Sequence, residues 1–149
     1  MQEKNEHNEF YQWYQLVRDA QNNIGARLER SIEHYIILTL QRSTLKKHYI
    51  SSIIGSEYYS TLVCPSQSIS ELRDIGDHCL LIAGLFPDFI KKKNVSKQYI
   101  ISIGKSAYLD VSTNHSSEYD ETLFFNLSYN FHTLTKLLNA MRRLKKNSE

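Results

Sequence analysis

Little in this chain of 149 residues marks a place where chemistry is done. Its five glycines stand alone at positions 25, 55, 76, 84 and 104, so no glycine-rich loop is present to cradle a phosphate. Five glycines and two prolines also supply too little turn chemistry for an all-β fold. Cys-x-x-Cys, His-Glu-x-x-His and Glu-x-x-His are all absent, which removes the usual zinc and di-iron patterns. The sequence implies no metal and no cofactor. The longest apolar run, Cys79 to Phe86, falls far short of the roughly 20 residues that span a bilayer. The start, MQEKNEHNEF, has neither the basic opening nor the apolar stretch of a signal peptide, so a cytoplasmic protein is expected. Two cysteines, Cys64 and Cys79, allow one bridge at most. In a reducing compartment they read as two thiols, Cys79 being a small core residue. A formal net charge of +2 is too small to demand a nucleic-acid partner.

What the chain does carry is helical periodicity. Phe10, Trp13/Tyr14, Val17 and Ala20 recur at gaps of three and four, predicting a helix over about 8 to 21 behind a polar tail of about residues 1 to 7. Asn22-Asn23-Ile24-Gly25 stops it, because asparagine and glycine tolerate the left-handed conformation that ends helices. Leu28, Ile32, Tyr35/Ile36 and Leu40 predict a second helix, about 28 to 43. Its centre, Tyr35-Ile-Ile-Leu38, is apolar all round, as in a buried helix. Residues 50 to 63 fit a helix, yet Gly55 and the β-branched content also admit a strand. Cys64-Pro65 to Ser68 reads as a loop.

Ser68 or Ser70 then caps a helix whose inner stripe is Ile69, Leu72, Gly76, Cys79, Ala83 and Phe86, ended or kinked at Pro87. Asp88 to Lys93 continues it briefly. Ser96 caps the next helix, with Ile100, Ile103, Ala107 and Val111 inward, and Thr113 to Ser117 is a polar loop. Phe124, Leu127, Phe131, Leu134, Leu138 and Met141 predict one last helix over about 118 to 145, ending in basic residues over about 142 to 149. Such a helix spans roughly 40 Å, so a projecting end would offer Leu138 and Met141 to a second copy in a homodimer. Phe124 and Phe131 are too bulky for a regular two-stranded seam and favour packing on the body. The expectation is an all-α single domain over 1 to 149, a bundle of five to six helices.

Leu72-Arg73…Gly76-Asp77…Leu80-Leu81…Gly84…Phe86, followed by Tyr99…Gly104…Ala107-Tyr108, resembles a signature of short uncharacterised proteobacterial helical proteins, LRxxGDxxLLxxGxF then YxxxGxxAY. Tyr35 to Leu40 echoes an upstream YLVxLL helix of that family. The resemblance covers about half the chain. It implies a helical domain in a bacterial cytosol and brings no activity and no catalytic residue.

The residues worth following are therefore Arg73, Gly76, Asp77, Gly84, Tyr99, Gly104 and Tyr108. Arg73 and Asp77, at i and i+4, are neighbours on an apolar helix, and a buried Asp77 needs Arg73, Tyr99 or Tyr108 as partner. Gly76 and Gly84 read as close approach by the Gly104/Ala107 helix. His78 and Cys79, adjacent on a helix, point about 100° apart and cannot act as a pair. The functional expectation is a non-enzymatic protein-binding or regulatory module. A small-ligand or haem-binding domain, with His34 or His78 as axial ligand, comes second. Third is nucleic-acid association through Lys91-Lys92-Lys93…Lys97 and Arg142 to Lys146, with base stacking on aromatic side chains.

Overall fold

Among the described residues, the segments that carry this apolar period are helices in the computed structural model. Residues 2–44, 68–92, 94–114 and 119–147 are described, and every regular element among them is helical. In chain order they are α1 (Gln2–Ile24), α2 (Arg30–Thr44), α3 (Ile69–Leu85), α4 (Pro87–Lys92), α5 (Lys97–Thr113), α6 (Glu121–Tyr129) and α7 (Phe131–Asn147). The helix-or-strand question at 50 to 63, the loop with Cys64, and positions 115 to 117 lie outside the described residues.

The helix ends follow local chemistry. Gly25 adopts φ 69° beyond α1, and the Ala26 N–H reaches back to the Gln21 carbonyl at 3.0 Å, closing the helix as a left-handed C-terminal residue does. Asn94 does the same after α4, at φ 56°. Ser68, not Ser70, caps α3, accepting from the Glu71 N–H at 3.2 Å, and Ser96 caps α5, accepting from the Tyr99 N–H at 3.0 Å. Ser96→Ala is expected to cost about 1 kcal/mol, a thermal midpoint lower by about 2–4 °C.

The seven helices among the described residues, where five or six were expected, reflect two breaks. Pro87 ends α3 and opens α4 as its first residue, where its missing N–H costs nothing. The expected last helix is two. At Asn130 the backbone turns to φ −93° and ψ 10°, and the Asn130 side chain donates to the Asn126 carbonyl at 2.9 Å. α7 restarts at once, with the Leu134 N–H on the Asn130 carbonyl at 2.9 Å. Periodicity cannot see this break, because Phe124, Leu127, Phe131, Leu134, Leu138 and Met141 are buried on both sides of it.

Leu138 and Met141 are therefore core within one chain, so the projecting end that was to bring a second copy is not formed. α3 lies at the centre, packed on α5 and α7, while α1 packs on α2 and α7, and α6 on α5. Leu80, fully buried on α3, contributes on the order of 2 kcal/mol by leaving water. Two expected core residues stand outside: Leu38 is 41% exposed and Phe86 45%. Leu38 lies on the outward side of α2, opposite the buried Ile36 and Leu40. Phe86 is the cap residue at which α3 unwinds before Pro87.

Candidate functional site

The buried polar centre of the domain is Asp77. Two tyrosine hydroxyls donate to the same carboxylate oxygen, Tyr35 from α2 and Tyr108 from α5, each at 2.6 Å to Oδ1. Arg42 of α2 approaches the other oxygen at 3.5 Å. Phe124 of α6 closes the cluster, its ring 5.5 Å from that of Tyr35 and 5.8 Å from that of Tyr108. Tyr108 also packs on Phe131 of α7 at 5.8 Å. One carboxylate thus ties three helices together, and the aromatic rings around it reach two more.

The glycine beside Asp77 explains how Tyr108 gets there. A Cβ on Gly76 would lie 2.5 Å from both Cδ1 and Cε1 of Tyr108. The phenol ring lies across the bare backbone of α3 and so carries its hydroxyl to the next residue. Burial pushes the Asp77 carboxyl up to about 6, against the hydrogen bonds from Tyr108 and Tyr35 and the charges of Arg42 and Arg73. Burial, with the Asp77 charge close by, holds both phenols protonated, as donors. The arrangement is closed: fully or largely buried donors face one acceptor, which suits a pin between helices.

The expected partners of Asp77 are corrected in part. Tyr108 holds it, as expected. Arg73 does not: it pairs with Asp74 at 3.1 Å, and its guanidinium stands 5.6 Å from the Tyr119 ring centre. Its guanidinium bonds the adjacent carboxylate through Nη2, while its Nε is buried. Tyr99, 45% exposed at the start of α5, sits away from the pin. Tyr35 and Arg42 were missed. The signal for Tyr35 was present, since a tyrosine at the centre of an apolar helix must find an acceptor for its hydroxyl. Arg42 had none, as its contact spans α2 to α3.

The small-residue faces are also redistributed. Gly76 meets α5, as expected, whereas Gly84 faces Leu138 of α7, with an added Cβ 2.5 Å from Leu138 Cβ. Gly104 gives room to two neighbours, the Phe131 ring and Cys79, which is a buried core thiol on α3. His34 lies on the exposed side of α2, its ring 5.7 Å from that of Phe10. His78 is half-buried on α3. Among the described residues, no three or more His, Cys, Asp or Glu side chains gather as a metal-binding group, and no helix is long and apolar enough to cross a membrane.

A second feature lies on the surface. Trp13 and Leu16 of α1, Leu85 and Phe86 at the end of α3, Phe89 of α4 and Met141 of α7 line an open groove of about 580 Å³. Its polar groups are Asp88, Lys92, Arg142 and Lys145, which brings the two basic clusters of the sequence to one place. Arg142 bonds Asp88 across the groove at 3.3 Å, and the Lys145 ammonium stands 5.9 Å over the Trp13 ring. Neither His34 nor His78 lines it. Sequence reading missed the groove because Trp13 and Phe86 sit at core periodicity. The break at Pro87 and the turn into α4 are what leave them half covered. No protein-family model, curated protein or solved structure matches the chain.

Proposed function

We propose that this chain is a non-catalytic binding module that docks another protein in the groove between α1, α4 and α7. The observation that carries this is the groove itself: six large apolar side chains around an open concavity of about 580 Å³. Concentrated apolar surface of this kind marks interaction sites. The Asp77 cluster supports the non-catalytic part, since its hydroxyls and carboxylate are spent on one another in the interior. The basic residues meet around apolar surface, which suits a protein better than a phosphate backbone with its evenly spaced charges. A small apolar ligand is the second reading, favoured by a volume in the range of small-molecule sites. Among the described residues, no histidine lines the groove as an axial ligand for haem.

A photo-crosslinking residue at Phe86 tests this in the native cell, with one at the exposed Phe125 of α6 as control. The expected result is one discrete protein adduct from position 86 alone, reproduced with the two purified proteins. Equal labelling from both positions would overturn docking in the groove. Absence of an adduct, with a small molecule retained through purification, would favour the second reading.

A further inference from the structure

We infer that the occupant of the groove is an amphipathic helix with acidic residues flanking its apolar stripe. This rests on the docking reading above and names the chemistry of the partner. The walls are themselves helices, so no unpaired strand edge is on offer for an extended peptide, and side-chain packing must carry the contact. The floor, from Leu85 and Phe86 across to Met141, takes apolar side chains presented one helical turn apart. Charge then selects the flanks. Lys92 stands on the α4 wall and Lys145 on the α7 wall, with Arg142 beside it. Among the described lining residues the carboxylate is Asp88, which Arg142 already engages.

Among the described residues lining the groove, three cations stand against one carboxylate, an excess of positive charge. Exposed Lys91 and Arg143, next in the chain to Lys92 and Arg142, add to it. A partner helix with Glu or Asp on both sides of a leucine stripe meets a cation on each wall. A basic helix meets repulsion there.

The test uses the intact chain, and Trp13 makes it direct. It is the chain's only tryptophan and it lines the groove, so its emission reports occupancy. A displayed library of helical peptides, with flanking positions randomised around a fixed Leu stripe, is selected on the wild-type protein. The enriched peptides are then titrated against wild type and a Lys92→Glu/Lys145→Glu variant, whose fold is checked by its thermal melt. Expected are enrichment of Glu and Asp at the flanks and a shift of Trp13 emission. Binding should be about tenfold weaker to the double variant, and should weaken as salt screens the pairs. Enrichment of neutral or basic flanks with the same Trp13 shift overturns the charge assignment and leaves docking standing. Failure of every peptide to shift Trp13 overturns both. In that case a one-to-one shift by sodium laurate assigns the groove to a small apolar ligand.

Discussion

Replacing Gly84 with leucine should unfold the domain or strip it from the soluble fraction. An added Cβ at this position lies 2.5 Å from Leu138 Cβ and 2.8 Å from its Cδ1, far inside normal carbon contact. Leu138 cannot swing aside, because it is fully buried in the centre of α7. α3 and α7 must therefore separate, and both run through the core. Overpacking of a well-filled site costs about 1–3 kcal/mol for a modest insertion, and leucine adds three carbons beyond the first clash. A loss of about 4 kcal/mol or more is expected, against a total stability of about 5–15 kcal/mol for a typical domain. Gly84→Ala is the milder companion. Its gain in helix propensity, about 1 kcal/mol, is outweighed by the same contact, so its thermal midpoint should fall by several degrees. A Gly84→Leu melt within a degree of wild type would show that α3 and α7 do not meet there.

The difference between what sequence did and did not make legible follows from range. The stripes of α3, α5 and α7 were readable because periodicity is local, and burial of Cys79, Ala83, Ile100, Ala107, Phe131 and Leu134 follows from it directly. The serine and glycine ends were readable for the same reason, since a cap acts within one turn. Which helix each glycine faces was not readable. Gly84 and Gly76 lie eight residues apart on one helix, yet the first meets α7 and the second α5, because about two turns separate them and α3 crosses different neighbours along its length. The break at Asn130 was hidden by a stripe that stays in phase across it.

Asp77 shows the same limit at the site. Arg73 is the nearest cation in sequence, and i,i+4 spacing made it the natural partner. Asp74 lies nearer to it, and the cation that reaches Asp77 comes from α2. The groove was the least legible feature of all. It is made by what is missing, a second face for Trp13 and Phe86 once the chain has turned at Pro87, and no local pattern encodes an unfilled face.

Asp77→Ala should cost about 4 kcal/mol at pH 7, and Asp77→Asn should cost far less. Alanine removes the acceptor of the Tyr108 hydroxyl, which is fully buried, and of the Tyr35 hydroxyl. Each such loss is worth about 1–3 kcal/mol. Asparagine keeps a carbonyl oxygen where Oδ1 stood and carries no charge to desolvate. Its sign is set by the carboxyl, which burial raises from 3.8 to about 6. Between those values the folded chain binds the Asp77 proton and the unfolded chain does not. Acidification from pH 7 to pH 4 therefore stabilises the fold through this residue, and the gain is lost as pH rises through 6. Once pH lies below both values, that rise corresponds to about 3 kcal/mol. Asp77→Asn lacks this response, so the difference between the two proteins isolates it from every other titrating group. Denaturant melts at pH 7 and pH 4 measure it. The Asn variant should be within about 1 kcal/mol of wild type at pH 7 and should fall behind it by most of that gain at pH 4. A difference that stays constant across that range would mean the carboxylate is not desolvated in the folded chain. A neutral result for Asp77→Ala would mean that the tyrosines do not depend on it, and the central pin would then be no pin.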